Sequence, residues 1–251
     1  MTSSDEPRVL SWPPAEPGDR DRLIADVSRH SAIRVPGFAS WHECHGWTRA
    51  VYAARERWTA AFEGEQHSLG RAWYTHFEED LSEEYFAEAA ASNALVEATL
   101  PGVQQRMIGA VQALGGGRAV QRADWCGPGV HVFPSGDVVA HRGGIVHFDT
   151  EGLSEEQARE RRPALSLLSM LQAPQRGGGI ALWDVRYSGA DEATDDELDR
   201  PCQVVEYRVG ELCVFDSYRL HQIQPFGGRR DRISVTAHAA EVEPGLWEVW
   251  F

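Results

Sequence analysis

Gly144-Ile145-Val146-His147-Phe148-Asp149 is the stretch on which the fold turns. Its β-branched and aromatic content predicts a strand, and residues i and i+2 of a strand share one face, about 6.6 Å apart. His147 and Asp149 are therefore expected to project together into the interior. The same texture runs in both directions from residue 118 onward, where short runs rich in Val, Ile, Phe and Trp alternate with Gly, Pro and Asp clusters. Strands are predicted near 119–126, 129–133, 138–141, 144–149, 164–172, 179–187, 203–208, 211–216, 219–225 and 232–241. Pro134-Ser135-Gly136-Asp137 and Gly227-Gly228-Arg229-Arg230-Asp231 read as turns between antiparallel strands. One helix interrupts them, from Ser154 to about Arg161, with Ser154 and Gln157 forming a capping box. Residues 191–199 read as a solvated acidic loop.

Upstream the pattern is helical. A helix is predicted from Asp19 to about His30, then a short strand at Ala32-Ile33-Arg34-Val35. Ser40 and Glu43 make a capping box for a helix running to about Trp58. Ser82 to about Thr99 is an alanine-rich helix, and Pro101 opens another that Gly115-Gly116-Gly117 ends. Helices first and strands second predict an α+β fold: a double-stranded β-helix, or jelly roll, buttressed by N-terminal helices. Residues 1–18, with Pro7, Pro13, Pro14 and Pro17, read as a loose tail in which Trp12 is a candidate to dock. Residues 19–251 read as one domain, helical over about 19–117 and β over about 118–251.

Composition narrows the chemistry. The 251 residues carry 24 basic and 38 acidic side chains, a formal net charge of -14. That balance disfavours nucleic-acid and anionic-membrane partners. Every basic residue is arginine, so mechanisms that need a lysine nucleophile, Schiff base or phosphate-loop lysine are excluded. Four cysteines, at 44, 126, 202 and 213, lack metal-site spacing and read as free thiols of a reducing compartment. Neither a signal peptide nor a membrane span is expected, and the predicted location is the cytoplasm.

Three pieces carry the chemistry. His147 and Asp149 are the first, and His221, in a late β segment, is the second. Two histidines and one carboxylate from two strands form the facial arrangement used by non-haem Fe(II), which leaves three coordination positions open. The third piece is Arg232-Ile233-Ser234, eleven residues beyond His221 and expected to return beside the His221 strand. A guanidinium and a hydroxyl on one face can grip a carboxylate, and a dicarboxylate would span from metal to arginine. Arg230 has the same strand parity as Arg232, so a bulge could exchange them.

His-x-Asp, a distant His and Arg-x-Ser in this order resemble the Fe(II)/2-oxoglutarate-dependent oxygenases. Val209-Gly210-Glu211-Leu212-Cys213-Val214-Phe215-Asp216 and Gly177-Gly178-Gly179-Ile180-Ala181-Leu182-Trp183-Asp184 are similar to strands of that family, and the resemblance covers roughly 118–241. It implies iron held by His147, Asp149 and His221, and 2-oxoglutarate tethered by Arg232 and Ser234. It also implies dioxygen as oxidant, succinate and CO2 as co-products, and ascorbate as a candidate stimulant. The order of motifs looks nearest to small bacterial members acting on free amino acids and related metabolites, including carrier-independent amino-acid halogenases and their hydroxylating relatives. The halogenating members have Gly or Ala where this chain has Asp149, so the resemblance implies hydroxylation, or a desaturation or cyclisation, and not halogenation. A cupin-like metal enzyme that uses no oxoacid is the alternative.

Substrate contacts are expected from Arg71, Trp73 and Tyr74, in a segment placed to cap the barrel mouth, with Arg71 pairing a substrate carboxylate. His131 and Arg142, on strands leading to the iron motif, are further candidates. Thr236 and His238 continue the Arg232 face by strand parity. Trp247 and Trp250 are candidates for packing or for a lid.

Overall fold

The computed structural model describes residues 9–13 and 18–251. Its helical part begins after β1 (Val9–Ser11) with α1 (Arg20–Arg29), β2 (Ala32–Val35) and α2 (Trp41–Ala53). Asp19 caps α1 by accepting from Arg22 N, and Ser40 and Glu43 close a full capping box on α2. There follow β3 (Thr59–Ala61), β4 (Gln66–Leu69), α3 (Trp73–Glu78), α4 (Ser82–Thr99) and α5 (Val103–Gly115). Gly116, at φ 63°, ends α5 in the left-handed conformation that a Cβ disfavours.

The β part comprises β5 (Arg118–Gln121), β6 (Gly129–Phe133), α6 (Val138–Arg142), α7 (Glu155–Glu160), β7 (Ala164–Gln172), β8 (Arg176–Gly177) and β9 (Ile180–Arg186). It continues through α8 (Asp195–Leu198), β10 (Cys202–Val205), β11 (Leu212–Asp216), β12 (Arg219–Ile223), β13 (Phe226–Gly227), β14 (Arg232–Glu243) and β15 (Leu246–Trp250). Among the described residues the large sheet has the order β1-β2-β11-β7-β14-β6-β4-β3, with β15 and β5 continuing from β14. The smaller sheet is β10-β9-β12, extended by a bridge between His221 and His147. Ile180 and Leu182 of the small sheet pack with Ala32, Cys213 and Phe215 of the large one, so the two sheets face each other. This is the predicted α+β architecture with a double-stranded β-helix core.

The main core lies on the other face of the large sheet. Leu165, Leu167, Val214, Ile233 and Val235 pack there against Leu23, Val51, Val96 and Met107 of the helices. The near-continuous apolar run of β7 follows from its position, flanked by β11 and β14 and covered on both faces.

Several expectations need correction. Residues 138–141 are helical, so Arg142 ends α6 exposed and does not lie on a strand. A short apolar run fits either state by periodicity; Val139 and Ala140 pack here against Phe133 and Phe226. Pro134–Asp137 therefore leads into a helix. Residues 144–149 make one antiparallel bridge and no continuous strand. β14 does not lie beside β12: it pairs with β7, β6 and β15 in the facing sheet. The α2 helix stops at Ala53, and a tight turn at Arg55–Arg57 follows. Within 191–199, Thr194 caps the short α8. Of the expected tail, Val9–Ser11 pairs in parallel with β2, and Trp12 is buried with its Nε1 donating to Asp26 at 3.0 Å. The remaining tail positions, 1–8 and 14–17, lie outside the described residues. β3 and β4 were not foreseen, because residues 59–61 and 66–69 lack the apolar alternation of a strand, and β15 was read only as a pair of closing tryptophans. Among the described residues no helix is long and apolar enough to cross a membrane.

Leu167 is fully buried at the centre of β7. Leu167→Ala should cost about 2–5 kcal/mol in urea unfolding. Ser40→Ala, which removes only a helix cap, should cost about 1 kcal/mol. Equal costs for the two would mean that the large sheet is not the stability core.

Candidate metal centre

His147 and His221 face each other across the small sheet's edge. His147 N donates to His221 O at 3.0 Å, and His221 N returns the bond to His147 O at 2.9 Å. This reciprocal pairing brings the two rings to 4.2 Å between centroids. Asp149 N donates to Ser217 O at 3.0 Å, which keeps the aspartate on the same side two residues later. Phe148, between them, points away into a separate cluster with Ala181, Trp183 and Leu220.

The three side chains meet. Asp149 Oδ1 lies 3.3 Å from His147 Nε2, and Oδ2 lies 3.4 Å from His221 Nε2. One potential ligand atom from each residue falls within 4.8 Å of the other two. Each histidine also uses Nδ1: His147 toward Ile145 O at 2.8 Å, His221 toward Arg219 O at 2.9 Å. A carbonyl can only accept, so Nδ1 carries a proton and Nε2 is the atom turned toward Asp149, where it would offer the metal-binding lone pair on losing its proton. Metal-binding imidazoles are commonly oriented in this way.

Asp149 is held from two further sides. Ser166 Oγ, on β7, donates to its Oδ2, and Ser217 Oγ lies 3.0 Å from Ser166 Oγ. His238 Nδ1, on β14, lies 3.8 Å from the same carboxylate oxygen. Burial pushes the Asp149 carboxyl up, but the charges of His221 and His238 and hydrogen bonds from His147 and His221 outweigh it and hold the group well below the usual range. His147 shows the complement: burial opposes its charged form, yet the Asp149 hydrogen bond and charge push it up to about 9. For His238 burial wins and lowers the ring's pKa.

Arg232 lies on the opposite sheet and is 1% exposed, whereas Arg230 is exposed, so the strand parity resolves in favour of Arg232. Its Nε donates to Gly178 O at 3.2 Å, while its Nη2 is buried without a hydrogen-bond partner. Phe133 and Tyr207 flank the guanidinium at 5.3 and 5.2 Å. Burial lowers its pKa, opposed by the neighbouring Tyr207 and Tyr74. Ser234 is fully buried opposite His131, and Thr236 Oγ1 lies 3.5 Å from Ser234 Oγ. His131 Nδ1 is also buried without a partner, and the Tyr207 hydroxyl lies against the Arg232 guanidinium without closing a well-formed hydrogen bond. Burial, then His238 and Arg232, push the His131 ring down to about 3. A buried guanidinium with an open N–H and no carboxylate is costly unless an anion completes it. Tyr74 and Tyr207 each feel the charges of both Asp149 and Arg232, so the histidine cluster and the arginine lie near one another in the interior. The donor set and these open polar atoms fit a metal at one end and a carboxylate at the other.

Other expected contacts divide. Trp73, Tyr74 and His238 line the pocket at Asp149 together with Glu151, Gly152 and Trp250. Trp73 and Tyr74 sit in the first turn of α3, and Trp73 Nε1 donates to Glu151 O at 2.8 Å. The structure does not bring Arg71 into this pocket: its guanidinium contacts Glu84 at 2.7 Å and His76 Nε2 at 2.8 Å. Arg142 is exposed at the end of α6.

Sequence reasoning missed Ser166, Ser217, Tyr207 and Glu151. A signal for Ser166 existed: a serine interrupting Ala164-Leu165-Ser166-Leu167-Leu168 inside a buried strand calls for a hydrogen-bond partner, although Ser169 on the same strand has none. Burial, then the nearby Asp149, push the Glu151 carboxyl up to about 7.

No protein-family model matches the chain, and no curated protein matches it in sequence. Solved structures do match in shape. One is the epimerase SnoN in complex with Fe3+, alpha ketoglutarate and nogalamycin RO: TM-score 0.57 and 14% identity, over 88% of this chain and 85% of that one. A second is an N-substituted L-amino acid dioxygenase from Burkholderia ambifaria: TM-score 0.55 and 14% identity, over 93% and 92%. At this identity the likeness is one of fold. The chain has the double-stranded β-helix fold seen in Fe(II)/2-oxoglutarate-dependent oxygenases, as its motif order implied.

The His147–Asp149 coupling makes the metal-free protein pH-sensitive. His147 is raised above its unfolded value, so its contribution is full below about pH 6.5 and is lost as pH rises through about 9. Asp149 is depressed, so its contribution is present above about pH 4 and is lost in acid. Urea unfolding in chelator should show stability falling between pH 6.5 and 9. Asp149→Asn should flatten that fall, and an unchanged slope would contradict the coupling.

Proposed function

We propose that this protein is a non-haem Fe(II)/2-oxoglutarate-dependent dioxygenase that hydroxylates an unactivated C–H bond of a small metabolite, such as an amino acid or natural-product precursor, releasing succinate and CO2. The observation that carries this reading is the pairing of two features inside one barrel. Three metal-type ligand atoms converge with both Nε2 atoms turned inward, and the Arg232 guanidinium is buried with no carboxylate against it. His147, Asp149 and His221 would hold Fe(II), and Arg232 with Ser234 would hold the far carboxylate of 2-oxoglutarate. Bound there, iron supplies the activation of dioxygen that couples oxoacid decarboxylation to C–H oxidation.

The chain's own residues do the positioning. Ser166 and the two backbone carbonyls keep the three ligands from rotating. Arg232, pinned to Gly178 O and flanked by Phe133 and Tyr207, can grip a carboxylate without reorganising. Thr236 continues this face toward His238. Trp73, Tyr74 and Trp250 limit water at the cluster. With iron bound, the Asp149 carboxylate would take the position that a halide needs, which supports oxygenation over halogenation. Four free cysteines support a reducing, cytoplasmic setting.

The SnoN neighbour is an epimerase, which makes C–H cleavage without oxygen insertion the second reading. Dioxygen labelled with 18O separates the two: hydroxylation places label in the product, and epimerisation, desaturation or cyclisation does not.

Anaerobic protein with Fe(II) and 2-oxoglutarate should develop a weak visible charge-transfer band. His221→Ala should abolish it, and Arg232→Ala should weaken 2-oxoglutarate binding at least tenfold. A folded wild-type protein that binds iron but shows no band would overturn the oxoacid reading in favour of a cupin-like enzyme that needs none.

A further inference from the structure

A second cavity, of about 370 Å³, opens between α1 and the ends of β7 and β11, and its lining shares no residue with the pocket at Asp149. Small-molecule sites commonly hold roughly 300–1,000 Å³. Ile24 and Val27 of α1, with Pro163, Ala164 and Leu165 at the entry of β7, give it an apolar wall. Leu165 and Asp216 are register partners across β7 and β11, and both line it. Their chain neighbours Ser166 and Ser217 turn toward each other, and Ser166 on to Asp149. The cavity therefore lies behind the serines that steady Asp149.

The polar end is rich in arginine. Asp216 is the one carboxylate among the lining residues, and the charges of Arg186, Arg219 and Arg161 all reach it. Arg186 pairs with it directly and also donates to Ser28 O at 2.9 Å. Arg219 turns to Trp183 O at 3.0 Å and His30 O at 3.2 Å. Arg161 is left over. It ends α7 at φ 55°, in the left-handed conformation that a Cβ disfavours. Its guanidinium lies 4.9 Å from the Tyr187 ring and 5.1 Å from the Tyr218 ring. Glu156 and Glu160 of the same helix are taken by Arg162, at 3.2 and 2.9 Å. Among the described residues the Arg161 side chain forms no ion pair and no hydrogen bond.

Stacking uses the faces of a guanidinium and leaves its N–H edge open to a carboxylate. A small inorganic anion would engage the arginine but leave the apolar wall in water. An acid with an apolar body satisfies both ends. This local preference for an anion runs against the chain's net charge of -14, so it comes from the arginines at the site. We propose that the cavity binds a small carboxylic acid with an apolar or aromatic body, its carboxylate on Arg161 and its body against Ile24, Val27 and Leu165. This ligand is distinct from both the oxidised substrate and the co-substrate, and the site does not rest on the oxygenase reading.

Ligand-observed NMR titrations of the intact protein test the inference, with 3-phenylpropanoate, its uncharged amide and 3-phenylpropylammonium as probes. The acid should bind saturably and at least tenfold tighter than either of the others. Saturating 2-oxoglutarate with Fe(II), under anaerobic conditions, should leave the acid bound. Arg161→Gln should weaken the acid at least tenfold, and Ile24→Glu should abolish its binding by placing a carboxylate in the cavity, while both variants retain the charge-transfer band. No saturable binding, equal affinity for acid and amide, or an affinity unchanged in both variants would overturn the proposal. Displacement by 2-oxoglutarate would also overturn it, since the acid would then sit at Arg232. The two substitutions lie on different elements, so either one decides if the other fails to fold. Acid binding without the band removes the oxygenase reading and leaves this site standing; the band without acid binding removes only this site.

Discussion

A carboxylate buried among imidazoles organises this molecule's interior. Asp149 is largely screened from water, at 12% exposure, and its charge is supported by His147, His221 and the more distant His238 together with the Ser166 hydroxyl. Those partners come from the residue 147–149 segment, from β12, from β14 and from β7. Two facing sheets must therefore close on one point before the charge is satisfied. Buried ion clusters contribute little net stability, because desolvation consumes most of the attraction. Their value here is geometric: the arrangement is costly unless every member is in place.

The two sheets divide the work. The small sheet's edge carries the paired histidines, whose reciprocal backbone bonds fix their separation. The large sheet supplies β14, whose alternate residues Arg232, Ser234, Thr236 and His238 descend from the guanidinium toward Asp149. The helices stand behind the large sheet and share its apolar core. α3 adds a separate function, since its first turn delivers Trp73 and Tyr74 to the mouth. β15 delivers Trp250 from the other side, opposite His238 in register.

Much of this was legible from residue order. Strand parity placed Arg232, Ser234, Thr236 and His238 on one face, and capping boxes marked the starts of α2 and α7. Other parts were not. Residues 138–142 are a helix because Val139 and Ala140 find Phe133 and Phe226, a contact that periodicity over five residues cannot reveal. β4 forms from a polar run because β6 and β3 offer it backbone partners. Arg71 sits near the expected mouth in sequence, but its guanidinium turns to Glu84 and His76. Glu151 gave no signal at all, since a single acid after a turn is ordinary until its surroundings are known.

The sequence by itself determined the fold class and the residues able to do chemistry, because both follow from local rules: the period of apolar side chains and the donor types available for a metal or an anion. Only the tertiary structure decided that β14 faces β12 instead of pairing with it, that Ser166 rather than a more obvious partner steadies Asp149, and that Arg71 is spent on Glu84 and His76. Those outcomes depend on which distant segments compete for the same polar atoms, and that competition is settled only when the sheets close.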